Sequence, residues 1–96
     1  MVAVVLRPEA HEELAAAHRW YLERNRQTAE RLYREVDAAI DRIAADPTSL
    51  PLYDDVHRFL KLRTLPYVIV FHVKPNAVEV LAVAHTRRRP GYWQEA

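Results

Sequence analysis

The sequence predicts an α+β fold of order β-α-α-β-β-β, in which a helical hairpin packs on a small, mainly antiparallel sheet. Two observations lead to this prediction. Residues 8–46 carry apolar side chains at spacings of three and four, the period of an amphipathic helix. Residues 58–85 contain three β-rich segments separated by turns that contain proline. A chain of 96 residues has room for one modest core, so residues 1–96 are predicted to form a single domain.

Each element carries a local signal. Residues 2–6 are an apolar run that predicts a short strand. Pro8 suits the first turn of a helix, where its missing N–H costs no hydrogen bond, and Pro47 ends the second helix. The predicted helices cover residues 8–23 and 27–46, a loop covers 47–55, and the later strands cover 58–63, 67–73 and 78–85.

A turn centred on residues 75 and 76 would fix the pairing of the last two strands. The predicted pairs are His72 with Glu79, Val70 with Leu81, and Val68 with Val83. Because side chains alternate along a strand, the hairpin has two faces. The helices are predicted to cover the face with Tyr67, Ile69, Phe71, Val73, Val78, Val80, Ala82 and Ala84. The other face, which includes His72, Glu79 and His85, is also largely apolar, and we expect a protein partner to cover it.

Composition excludes several kinds of site. The chain has no cysteine, so it can form neither a disulfide nor a thiolate metal site. Its one glycine, Gly91, cannot build a phosphate loop, and its one serine, Ser49, lies between prolines in a loop. The five histidines lack a metal-binding spacing, so we predict no metal and no cofactor. No apolar run approaches the ~18 residues of a membrane span, and a cytoplasmic location is expected.

Positive charge is concentrated towards the C-terminus. Residues 1–50 contain seven Arg and nine Asp or Glu, whereas residues 51–96 contain seven Lys or Arg and four Asp or Glu. Arg87, Arg88 and Arg89 follow the last predicted strand, and Tyr92 and Trp93 come next. We expect at least two of the three arginines to face solvent, and Arg88 to point along the side of Lys61 and Arg63. Such a cluster can bind nucleic-acid phosphates, support RNA cleavage or bind an acidic peptide, and the pattern alone leaves these possibilities open.

Taken together, these features resemble the ParE/RelE superfamily of bacterial type II toxins. The resemblance covers essentially the whole chain, and its most specific parts are WYLERN at residues 20–25, FLKLRTLPYVIVFHV at 59–73 and VEVLAVAHTRRRPGYW at 78–93. The first and last of these are similar to the ParE branch. The resemblance implies a toxin that is neutralised by a cognate, acidic, partly disordered, ParD-like antitoxin, through which the complex would bind operator DNA.

The resemblance also implies which residues act. RelE-like members cleave mRNA on the ribosome, and Lys61, Arg88 and Tyr92 match their functional residues. However, Phe59 and Val68 stand where RelE has a lysine and a charge-stabilising arginine. We therefore expect no catalytic residues and a ParE-like toxin that inhibits DNA gyrase by binding. The alternatives are a RelE-like mRNA endonuclease and a non-toxic homologue that only binds antitoxin. The expected target-binding residues are Arg87, Arg88, Arg89, Tyr92 and Trp93, and the expected antitoxin-binding residues are Arg58, Lys61 and Arg63.

Overall fold

The computed structural model describes residues 1–94 and confirms the predicted α+β fold and order of elements. The elements are β1 (Ala3–Leu6), α1 (Pro8–Leu22), α2 (Arg26–Ala45), β2 (Arg58–Lys61), β3 (Tyr67–Val73) and β4 (Ala77–His85). Short 3₁₀ turns follow α2 and β4 at Pro47–Ser49 and Tyr92–Gln94. Within residues 1–94, neither helix has the length and apolar character needed to cross a membrane.

The helical hairpin forms where the sequence predicts it. Pro8 is the first residue of α1, and α1 ends at Leu22. The Asn25 side chain accepts a hydrogen bond from the Thr28 N–H at 3.2 Å and so caps α2. Such a cap satisfies one of the N–H groups that the first turn of a helix leaves unpaired, which explains the sharp start of α2 after a polar break.

The sheet has four strands in the order β1-β4-β3-β2. β1 runs parallel to β4, and the other pairs are antiparallel. β2 ends at Lys61, two residues earlier than predicted. The next residue, Leu62, is only 2% exposed, and its N–H still donates to the Tyr67 carbonyl of β3 at 2.9 Å.

The main core lies between the helices and one face of the sheet. Phe71 is completely buried at its centre, which confirms the predicted orientation of this part of β3. The side chains predicted to join the two layers all belong to this core or pack against it, namely Leu14, Tyr21, Leu32, Val36, Ile40, Ile43, Tyr67, Ile69 and Val80.

A β-bulge makes part of the predicted hairpin pairing wrong. His72 lies opposite Glu79 as predicted, but Val70 pairs with Ala82 and Val68 with Ala84. Phe71 pairs with Val80, so Leu81 is an extra residue on β4. The extra residue reverses the faces of every side chain after it. As a result Ala82 and Ala84 lie on the face away from the helices, whereas Val83 joins the helix-facing core and His85 contacts Tyr67.

The chain itself covers part of the second face of the sheet, where a protein partner was expected. Trp93 is 7% exposed and forms a second cluster with Val70, Leu81, Ala82 and Ala84. The two alanines leave room for the indole ring close to the strand backbone. The segment after β4 therefore folds back on the sheet and supplies a small second core.

Candidate functional site

The three arginines of the C-terminal run form a tight turn at the end of β4. The Arg88 N–H donates to the His85 carbonyl at 2.9 Å, and the Arg87 N–H donates to His85 Nδ1 at 3.1 Å. All three arginine residues are exposed. Gly91 then reverses the chain with a φ of 77°, a conformation that residues with a side chain adopt only with strain. We call residues 86–91 the arginine turn.

Trp93 fixes one end of the arginine turn. Besides its contacts with the sheet, its ring meets His57 and Tyr53 edge-on, with centroid separations of 4.6 Å and 5.5 Å. The neighbouring Gln94 donates from Nε2 to Asp54 Oδ2 at 3.1 Å. At the other end, the Thr86 N–H donates to the Pro66 carbonyl at 2.9 Å. The arginine turn is therefore held at both ends by folded structure.

Tyr92 is bound to α1 by a hydrogen bond. Its hydroxyl donates to Glu13, and the other oxygen of the same carboxylate accepts the Val83 N–H at 3.0 Å. Burial, and then the hydrogen bond and negative charge of Glu13, raise the pKa of Tyr92 well above its usual range. Because the phenol stays protonated at neutral pH, Tyr92 is poorly suited to act as a general base.

The guanidinium of Arg88 lies over the Tyr92 ring, with Cζ 3.8 Å from the ring centroid. This contact directs Arg88 towards α1 and the free end of β4. The prediction that Arg88 points along the side of Lys61 and Arg63 is wrong, because its guanidinium stacks on Tyr92 and lines a groove that neither of those residues lines. The expectation that at least two arginines of the run face solvent is confirmed.

A hydrogen-bonded Asp–His pair supports the segment that packs against Trp93. His57 Nδ1 lies 2.8 Å from Asp54 Oδ2, and Asp54 Oδ1 accepts the backbone N–H groups of Val56 and His57 at 2.9 Å and 2.7 Å. These bonds, led by that from the His57 side chain, lower the pKa of Asp54 to about 2. The pair orders the loop before β2 on which the Trp93 ring rests.

A groove of about 640 Å³ lies between α2 and the outer edge of β2. The cationic residues that line it are Arg31, Arg34, Arg42, Lys61 and Arg63. Its one carboxylate among the described lining residues is Glu35, which accepts hydrogen bonds from the Thr64 hydroxyl and from the N–H groups of Thr64 and Leu65. Burial opposes ionisation of Glu35, but these hydrogen bonds together lower its pKa. The carboxylate is therefore ionised, and Thr64 and Leu65 already bind it. We call this surface the basic groove.

The structure separates the residues that were predicted to act together. Lys61 and Arg63 lie in the basic groove, whereas Arg58 is outside its lining and donates to the Leu50 carbonyl at 2.6 Å. Arg88 and Tyr92 line a different groove, between α1 and β4. Of the three residues that would form a RelE-like catalytic set, Arg88 and Tyr92 line the α1–β4 groove together, whereas Lys61 lies on β2, two strands away from β4 in the sheet.

Several residues of the site have no clear sequence signal. Glu13 lies 79 positions from Tyr92, and neither its spacing nor its neighbours on α1 indicate a C-terminal partner. Tyr53 and His57 lie in the loop before β2. The DDVH sequence at residues 54–57 is typical of an Asx turn, in which an Asp side chain accepts nearby backbone N–H groups, and could have indicated an ordered loop.

Comparison with known proteins agrees with this fold. A search of curated proteins finds no significant match. A chain of the chromosomal ParDE TA system from P. aeruginosa has the same fold with a TM-score of 0.77, at 17% identity over 88% of this chain and 96% of its own. The YoeB dimer from Staphylococcus aureus is more distant, with a TM-score of 0.56 and 8% identity over 85% of this chain and 93% of its own. The family model for the ParE toxin of the type II toxin–antitoxin system parDE matches residues 4–90. The chain belongs to the ParE toxin family.

Proposed function

We propose that this protein acts in the cytoplasm as a toxin that inhibits DNA gyrase by binding it, and that a cognate antitoxin neutralises it. The observation that carries the proposal is the exposed arginine turn, which Tyr92 and Trp93 attach to the fold at one end. Cations that are already fixed in place lose little conformational freedom on binding, so they suit recognition of an acidic protein surface or of the DNA held by the enzyme.

The same geometry favours binding over RNA cleavage. A ribonuclease needs a general base, a general acid and charge stabilisation at one scissile phosphate. Here Lys61 and Tyr92 line separate grooves, and the hydroxyl of Tyr92 is already engaged by Glu13. Trp93 also covers part of the second face of the sheet. The likeness to YoeB is one of fold, at 8% identity, and supports the ribonuclease alternative only distantly.

For the antitoxin we propose an acidic segment in the basic groove. Along α2, Arg31, Arg34 and Arg42 face this groove, while the acidic residues Glu30, Asp37 and Asp41 lie outside its lining. Beyond Phe59, the outer edge of β2 has no strand partner in residues 1–94. An unpaired strand edge beside a row of cations fits an extended acidic peptide that pairs with β2.

The P. aeruginosa relative is described as part of a ParDE TA system, which supports an antitoxin partner. Apolar side chains exposed on the helical hairpin, including Trp20, Leu22 and Tyr33, offer a surface for a helix of the same antitoxin. Contact of the complex with operator DNA would then be made through the antitoxin.

Two assays run side by side test the proposal. Purified toxin is added to DNA gyrase in a supercoiling assay and to translating ribosomes in an mRNA cleavage assay. We expect loss of supercoiling and intact mRNA, with supercoiling restored by prior addition of the antitoxin. Ribosome-dependent mRNA cuts with normal supercoiling would overturn the gyrase proposal in favour of a RelE-like endonuclease. Inactivity in both assays, with tight antitoxin binding, would identify a non-toxic homologue.

A further inference from the structure

A groove of about 470 Å³ runs between α1 and the end of β4 that β1 does not reach. Its volume lies within the range of small-molecule sites, roughly 300–1,000 Å³. Its aromatic lining consists of Trp20, Tyr21, Tyr67 and Tyr92. On the side of α1 the wall between them is made of Ala16 and Ala17, whose short side chains leave open space against the helix. Open space between aromatic side chains suits a planar ring.

The charges around this groove favour an anion. Arg88 lies against the Tyr92 ring inside the groove, and Arg24 lies over the Trp20 ring with its Cζ 3.9 Å from the centroid. Glu13 is the one acidic side chain among the described lining residues, and both of its oxygens accept hydrogen bonds from the protein. A cationic ligand would meet Arg88 in the groove and Arg24 beside it, whereas the Glu13 carboxylate is already hydrogen-bonded within the protein.

Polar groups are also placed where the edge of a ring would lie. The Tyr21 and Tyr67 side chains, whose rings meet edge-on with centroids 6.3 Å apart, both line the groove. His85 accepts the Arg87 N–H at Nδ1, so its neutral ring carries the proton on Nε2 and can donate from there. Hydroxyl and imidazole groups of this kind can donate to or accept from the heteroatoms of a nucleobase.

We propose that the α1–β4 groove binds a nucleotide, with the base between the aromatic side chains and the phosphate against Arg88 and Arg24. The ligand would be a free nucleotide or one nucleotide of a single strand, since both present the same base and phosphate. This site is separate from the basic groove, and its occupancy does not depend on whether gyrase is the target.

The test is isothermal titration calorimetry, which measures the affinity of the protein for AMP, GMP and UMP. Guanosine and ribose 5-phosphate, which present the base or the phosphate alone, serve as ligand controls. We expect nucleotides to bind at least tenfold more tightly than either half, because stacking and charge act together. Trp20→Ala should weaken binding tenfold or more, and Arg88→Ala should remove most of the preference for GMP over guanosine. If a six-nucleotide single strand binds over tenfold more tightly than GMP, the ligand is a single strand. If the two bind with equal affinity, the ligand is a free nucleotide.

Arg26→Ala is the matched control, since it removes an exposed arginine outside the groove. It should bind nucleotide as the wild type does. If Arg26→Ala and Arg88→Ala lose equal nucleotide affinity, the loss reflects only the net charge of the protein, and the proposal is overturned. Absence of nucleotide binding at millimolar concentration, or binding of a short acidic peptide with an aromatic residue in place of nucleotides, would overturn it as well.

Discussion

The Trp93 side chain is the strongest attachment of the C-terminal segment, so Trp93→Ala tests whether that segment is part of the folded structure. A buried aromatic side chain removes about 150–250 Å² from water, worth roughly 4–6 kcal/mol at 25 cal/mol per Å². The true value is lower, because the unfolded chain already buries some of this surface. Residues 86–94 can detach while the helices and sheet stay folded. The stability lost in Trp93→Ala therefore cannot exceed the free energy that holds this segment in place.

We therefore expect Trp93→Ala to lower the free energy of unfolding by about 3 kcal/mol, within the usual range for such truncations. For a domain of this size, 1 kcal/mol corresponds to a shift in Tm of about 4–8 °C, so Tm should fall by about 12 °C or more. Thermal unfolding followed by circular dichroism measures the shift. Hydrogen exchange at the Thr86 N–H, which donates to Pro66, reports detachment of the segment.

Trp93→Phe is the matched control, because it keeps an aromatic ring on Ala82 and Ala84 and should lose much less stability. An unchanged Tm together with unchanged exchange at Thr86 in Trp93→Ala would refute the second core and with it the idea that the arginine turn is held in place.

Three other variants test separate parts of the account. Phe71→Ala should cost about 3–5 kcal/mol in unfolding free energy, measured by urea titration, because Phe71 is fully buried between the helices and the sheet, and a loss under 1 kcal/mol would contradict that placement. Tyr92→Phe should leave gyrase inhibition within a few-fold of wild type, because no proton transfer is required, whereas a ribonuclease would lose about 100-fold or more in mRNA cleavage. The pKa of Asp54 is lowered from 3.8 to about 2, so its bonds contribute stability above pH 3.8 that is lost as pH falls towards 2. The Tm of Asp54→Asn should therefore fall less than that of the wild type between pH 3.8 and about 2. Identical profiles of Tm against pH in the wild type and Asp54→Asn would count against the Asp54–His57 pair.

The helices and the centre of the sheet could be predicted because their signals are local. Apolar side chains three and four residues apart place Leu32 and Val36 on one face of α2, and Phe71 falls in register with the turn at Pro75. The bulge at Leu81 could not be predicted in the same way, because no glycine or proline marks it and several valines and alanines around it fit either face. One extra residue moves the Val83 side chain from the predicted outer face to the helix-facing side of the sheet.

The binding surfaces depend on long-range contacts. The exposure of the arginine turn follows from its own sequence, since three adjacent guanidinium groups stay in water. The direction of Arg88 depends instead on the Tyr92 ring, and Tyr92 depends on Glu13, which lies far away in the sequence. Such a pair is joined only when the segment after β4 folds back past the edge of the sheet.

The most direct test of the proposed mode of action is gyrase supercoiling in the presence of the double variant Arg87→Ala/Arg88→Ala. The double variant Arg19→Ala/Arg26→Ala, which removes the same charge from exposed helix positions, is its control. We expect the first variant to lose inhibition and the second to keep it, with the Tm of both within a few degrees of wild type because exposed charges contribute only about 0–1 kcal/mol each. Full inhibition by Arg87→Ala/Arg88→Ala, or a loss of inhibition that follows a matching fall in Tm, would contradict the arginine turn as the surface that binds the target.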